Sequence, residues 1–144
     1  MSKKLKNEKI KGLLVKRGKK PVVIEIDADN KYDIISDLLG GLIDRIEVYN
    51  PTGITDIIFN DESKVDGSKP NRLITSKQVY GNGSNTLYDI VYGDFLMLCV
   101  DDEGGYISLS DSEIERWSKE FDFTVPPFVS KEMYNKFFSP QIFM

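Results

Sequence analysis

Histidine does not occur in the 144 residues of this chain, and cysteine occurs once. The first absence removes the usual general base near neutral pH and the commonest metal-ligating nitrogen. With one thiol alone, the common zinc recipes have no ligand set to draw on, and an internal disulfide is excluded. Cys99 sits in the apolar run Phe95-Leu96-Met97-Leu98-Cys99-Val100 and reads as a buried core thiol. No run approaches the 18 apolar residues that span a bilayer. The stretch Met1 to Lys9 is basic and lacks the apolar segment and small-residue cleavage site of a signal peptide. No Gly-x-x-x-x-Gly-Lys-Ser/Thr loop occurs, and Gly81-Asn82-Gly83 reads as a loop, not as a dinucleotide fingerprint. These absences predict a cytoplasmic protein without cofactor, metal or catalytic residues, which works by binding.

What is present describes one ordinary domain: apolar residues make up 40% and charged residues 29%, enough for a real core at this length. The net charge of −4 is unevenly spread. Lys3, Lys4, Lys6, Lys9, Lys11, Lys16, Arg17, Lys19 and Lys20 crowd the start against Glu8 alone, so the remainder is distinctly acidic. Nucleic-acid binders concentrate basic charge on a folded surface. A short basic leader on an acidic body makes nucleic acid a poor partner.

Lys9 to Arg17 reads as a strand, and Gly18-Lys19-Lys20-Pro21 as the turn into a second, where Val22, Ile24 and Ile26 alternate with Val23, Glu25 and Asp27. Asn30 is placed to cap a helix from Lys31 whose Ile34, Ile35, Leu38 and Leu39 share a face, and Gly40-Gly41 ends it. Strands follow near Leu42 to Tyr49 and Ile54 to Asn60. Residues 61–86 read as a polar middle. Strands resume at Thr86 to Val91 and Asp94 to Val100, and Tyr106-Ile107-Ser108-Leu109 follows an acidic turn. Ser110-Asp111-Ser112-Glu113 is a capping box, with Leu109 and Ile114 as its hydrophobic staple. Ile114, Trp117 and Phe121 continue one helical face. The expected fold is α+β, a mainly antiparallel sheet of about five to six strands with two packed helices and an aromatic-rich C-terminal arm. The expected organisation is a flexible leader over 1–9, a domain over 10–121 and the arm over 122–144. Six of the eight phenylalanines lie from Phe121 onward, so the arm is expected to pack on another subunit and form a homo-oligomer.

Several of these segments together resemble a small family of phage and conjugative-element proteins catalogued as a domain of unknown function. The resemblance runs through Gly18-Lys19-Lys20-Pro21, Glu25-Ile26-Asp27, Gly40-Gly41, Ile46-Glu47-Val48 and Asn60-Asp61-Glu62 with Lys64. It continues through Gly67, Pro70, Asn71-Arg72, Tyr88-Asp89-Ile90-Val91, Gly93-Asp94-Phe95 and Ser108 to Ile114, covering about residues 10 to 121. Ser63 stands where the family pattern has glycine. The resemblance implies a mobile-element protein that acts beside antirestriction and other counter-defence functions.

Two groups are candidates for a ligand site. Lys64, Lys69, Asn71 and Arg72 share a polar stretch shaped by Gly67 and Pro70, and an Arg fork with lysine point charges suits phosphate or carboxylate. The structural reading of the same residues is that Asn71 and Arg72 brace the loop against Asp61-Glu62. Tyr80, Tyr92 and Tyr106, with Tyr88 and Trp117, offer stacking faces for a nucleobase, or else pack half-buried in strands. Asp101-Asp102-Glu103 and Asp27-Ala28-Asp29 read as turns rather than cation sites. A carboxylate acid–base pair needs one member with a raised pKa, and no position in the sequence marks one. The expected function is sequestration, without turnover, of a small anionic nucleotide-type immune signal such as a cyclic nucleotide or ADP-ribose derivative. The alternative is an inhibitor that docks on a host defence protein through its acidic surface.

Overall fold

A computed structural model of the protein describes residues 8–122. Residues 123–144 of the arm and residues 1–7 of the leader lie outside the described residues. The last two leader residues belong to the fold. Lys9 opens strand β1 (Lys9–Val15) and pairs its ammonium with Asp27, while the Ala28 amide donates to the Glu8 carbonyl at 3.0 Å. β1 turns into β2 (Val22–Asp27) in an antiparallel hairpin whose register sets Leu14 opposite Val22 and Ile10 opposite Ile26.

Helix α1 (Lys31–Leu39) follows. Asn30 precedes it in the left-handed region at φ 61° and makes no side-chain cap, so its role is the turn rather than the expected capping bond. Gly40, at φ 88°, closes the helix by donating to the Ser36 carbonyl. Strands β3 (Ile43–Asn50) and β4 (Gly53–Asn60) form the next hairpin, and β7 (Phe95–Val100) lies beside β4. The short β8 (Tyr106–Ile107) pairs with β7. The main sheet is antiparallel throughout in the order β2-β1-β7-β4-β3, with β8 alongside β7.

The polar middle contains structure that alternation did not reveal. β5 (Pro70–Thr75) is buried at every position and pairs with β6 (Leu87–Tyr92) in a second, two-stranded sheet. Helix α2 (Ser76–Tyr80) is started by Thr75, whose hydroxyl accepts from the Gln78 amide while Gln78 Oε1 accepts from the Thr75 amide. Gly81 ends α2 at φ 83°, and the Tyr49 ring occupies the place of a Cβ. Gly81→Ala is therefore expected to cost about 1–3 kcal/mol, from the left-handed backbone and the displaced ring together. A urea midpoint unchanged by the substitution would contradict this.

Helix α3 (Asp111–Glu120) starts where the capping pattern placed it, with Ser110 accepting from the Glu113 amide at 3.2 Å. Glu113 does not reach back to complete the box. Its carboxylate turns inward and is buried, accepting from the Thr55 hydroxyl and the Trp117 indole, each at 2.9 Å. The domain thus has three layers. On one face of the main sheet Leu13, Val15, Ile57, Phe95 and Met97 pack against Trp117, Phe121, Ile74 and Val91. On the other, Ile10, Leu14, Ile26, Ile58, Leu96 and Leu98 pack under Ile35 and Leu39 of α1. Cys99 is buried, as its apolar run implied. Among the described residues no helix is long and apolar enough to cross a membrane.

Candidate functional site

Helix α1 covers its sheet face incompletely. Cross-strand pairing puts Arg45, Glu47, Ile54, Asp56, Val100 and Tyr106 on that face: Glu47 lies opposite Asp56, Ile54 opposite Val100, and Val100 opposite Tyr106. Beside the first turn of α1 these side chains form the floor of a groove of about 540 Å³, walled by Tyr32 and the Asp101–Gly104 turn. The Asp101 carboxylate shapes that turn by accepting from the Gly105 amide at 2.8 Å and the Glu103 amide at 2.9 Å, and these bonds hold its pKa below the ordinary carboxylate value. The Tyr32 and Tyr106 rings meet at 5.8 Å, and the Lys31 ammonium donates to the Tyr106 carbonyl at 3.1 Å.

At the bottom lies Asp56, 1% exposed. One oxygen accepts from the Tyr106 hydroxyl at 3.1 Å and the other from Arg45 Nη1 at 3.2 Å. Burial raises the Asp56 pKa, against the opposing pull of the Arg45 charge and the Tyr106 bond. Burial, then the neighbouring carboxylate, raises the Tyr106 phenol well above its ordinary value, so Tyr106 remains a hydrogen-bond donor at physiological pH. Arg45 is half exposed and closes the floor over the carboxylate. The groove lining carries Asp44, Glu47, Asp56, Asp101 and Asp102 against Arg45. Its chemistry is that of a hydrogen-bond acceptor for cations, with aromatic and aliphatic surface beside it.

Sequence reasoning missed Asp56. The signal was there: in Ile54-Thr55-Asp56-Ile57-Ile58-Phe59 the one charged residue occupies the same alternating face as Ile54 and Ile58. A buried acid with a raised pKa binds its proton more tightly folded than unfolded. Its contribution favours folding at low pH and is lost as pH rises through the folded-state pKa. Asp56→Asn keeps an acceptor for Tyr106 and removes the buried charge. The variant is expected to gain on the order of 1 kcal/mol over the natural chain at pH 8, with the gap closing toward pH 4. Urea unfolding at the two pH values measures it, and a gap that widens on acidification would contradict the assignment.

The seven residues expected to hold a ligand do not converge. Asn71 and Arg72 lie in β5, not in a loop, and face inward. Asn71 Nδ2 donates to the Val15 and Gly93 carbonyls at 2.8 and 2.9 Å. The Arg72 guanidinium donates to the carbonyls of Lys19, Asn71 and Phe121. They are braces, as the structural reading held, although what they brace is the β1–β2 turn and the end of α3 rather than the acidic turn. Lys64 and Tyr92 line a smaller cavity of about 210 Å³ with Asp44, Asp61 and Asp89, where the Lys64 ammonium pairs with Asp89 at 2.7 Å. Lys69 is exposed and lines neither cavity. Tyr80 is exposed and meets Tyr88 edge-on at 6.1 Å. Tyr106 alone of the seven belongs to the large groove. Among the described residues no group of three or more acidic or thiol side chains is arranged to hold a metal.

A family model described as a domain of unknown function (DUF3846) matches residues 10–122. The chain belongs to the DUF3846 family. No curated protein and no solved structure matches it. The groove of this DUF3846 domain, from Tyr32 to Tyr106, lies wholly within the matched span.

Proposed function

We propose that this DUF3846 domain is a binding module without turnover that docks on a basic segment of a partner protein through the groove over β3, β4 and β8. The observation that carries the reading is the charge of the concave surface. Five carboxylates and one guanidinium line the groove, and the smaller cavity opposes three carboxylates to one ammonium. An anionic nucleotide entering either would meet like charge, whereas an arginine or lysine side chain would find acceptors above an apolar and aromatic floor. Of the two functions weighed from the sequence, docking on a host protein through an acidic surface suits this geometry better than capture of a nucleotide signal. The mobile-element, counter-defence setting implied by the resemblance makes a host defence protein the partner in this proposal. Asp56 is buried beneath Arg45, which leaves a substrate no open route to its carboxyl group.

The test titrates a fluorescent nona-arginine peptide, and separately cyclic nucleotides and ADP-ribose, into the full chain. The peptide is expected to bind, with affinity falling as salt is raised. Asp101→Lys with Asp102→Lys is expected to weaken it at least tenfold, while Glu115→Lys on the opposite side changes it little. Nucleotide recovered intact after heat release would overturn the reading in favour of sequestration, and cleaved nucleotide would make the protein an enzyme.

A further inference from the structure

The main sheet has two margins, and they are finished differently. At β3 the outward main-chain groups belong to the odd-numbered residues, since the Leu42 carbonyl accepts from the Asp61 amide on the β4 side. That margin is obstructed at two points. The Asp44 carboxylate accepts from the outward Arg45 amide at 2.7 Å, and the Arg116 guanidinium donates to the outward Tyr49 carbonyl at 2.6 Å. Gly81 at the end of α2 lies against the Tyr49 ring. These are the usual devices that stop a sheet edge from pairing.

At β2 the even-numbered residues face β1, as the Ala28 amide donating to the Glu8 carbonyl shows. The amides and carbonyls of Val23, Glu25 and Asp27 therefore point away from the sheet. Among the described residues they have no hydrogen-bond partner, and no bulge or proline interrupts the strand. Val22 and Val23, on opposite faces of this margin, are 51% and 48% exposed. The strand is also charged lengthwise, with Lys19 and Lys20 before it and Asp27 and Asp29 at its far end.

We infer that β2 is an interface for a second copy of this chain, joined edge to edge in antiparallel register to continue the sheet across two molecules. A strand with a basic start and an acidic end is complementary to itself only when antiparallel, because a two-fold axis sets each end against the opposite end of its mate. With the axis at Ile24, Ile24 meets its counterpart and Val22 meets Ile26 on the α1 face. Val23 meets Glu25 on the other face, and Lys19 lies beside Asp29 of the second copy. The pairing satisfies the outward groups of Val23 and Glu25 and covers both exposed valines. Moving the axis by one residue, a register shift of two, would bring Glu25 onto its own counterpart, and like charges directly opposite disfavour that alternative. This interface is independent of the groove.

Light scattering on the full chain across concentration, with amide exchange read in parallel, tests it. The mean mass is expected to rise from one to two chains with concentration, while exchange at Val23 and Glu25 slows at least tenfold. Val23→Glu, on a position that is already half exposed, sets a second carboxylate against Glu25 of the mate and is expected to weaken association at least tenfold without lowering the melting temperature. A charge swap guards against misfolding of that variant. Chains carrying Lys19→Glu with Lys20→Glu, and chains carrying Asp27→Lys with Asp29→Lys, are each expected to be monomeric and to pair when mixed. A chain that stays monomeric up to millimolar concentration would overturn the inference. So would a dimer indifferent to Val23→Glu and to the swap.

Discussion

An Arg72→Ala chain is expected to lose about 3–5 kcal/mol of unfolding free energy, summing unsatisfied buried acceptors at roughly 1–3 kcal/mol each. Arg72 is 7% exposed, and its fork ties together three segments distant in the chain. Nε donates to the Phe121 carbonyl at 3.0 Å, at the end of α3. Nη2 donates to the Lys19 carbonyl in the first hairpin turn at 2.6 Å, and Nη1 to Asn71 Oδ1 at 2.7 Å. Removing the fork strands the Phe121 carbonyl and Asn71 Oδ1 where water enters with difficulty. It also releases Asn71, whose amide bridges the Val15 and Gly93 carbonyls. Lysine is expected to recover little, since a single ammonium does not reproduce the planar fork. Urea unfolding measures the loss, and a change below about 1 kcal/mol would show that the brace is dispensable. Peptide binding by the fraction still folded is expected to be unaltered, because Arg72 does not line the groove.

Trp117→Ala is expected to cost about as much, 3–5 kcal/mol, for a different reason. The indole is fully buried, stacks on Phe121 at 5.3 Å, and belongs to the cluster in which Phe121 meets Phe95 edge-on at 5.4 Å. Alanine leaves a cavity between α3 and the main sheet. It also removes the donor to Glu113, a buried carboxylate then held by Thr55 and by Arg116 at 3.6 Å. Trp117→Phe separates the two contributions. It keeps most of the ring contact and loses the hydrogen bond, so about 1–3 kcal/mol is expected. If phenylalanine costs as much as alanine, the bond to Glu113 and not packing dominates the site.

The elements with strong periodicity or a local cap were legible in the chain. Val22, Ile24 and Ile26 marked β2 because a half-buried strand alternates, and Ser110 marked the start of α3 because its hydroxyl bonds within one turn. β5 was hidden because Asn71 and Arg72 look like surface residues, and only partners as remote as Val15, Lys19 and Phe121 allow them inside. Glu113 was read as half of a capping box for the same reason. Its alternative partners, Thr55 above all, arrive from another layer. The groove was illegible because its walls come from five separate stretches, namely Tyr32, β3, β4, the Asp101–Gly104 turn and Tyr106.

By itself the sequence determined an α+β domain with no imidazole and a single thiol, and with acidic charge on its body, because these follow from composition and from repeats no longer than a few residues. The tertiary structure decided which polar residues are struts and which face the groove. It turned Arg72 inward, buried Asp56 beneath the groove floor and left the outer edge of β2 without partners among the described residues while obstructing that of β3. A side chain's burial and partners depend on which distant segments the sheet brings beside it, and no local pattern carries that information.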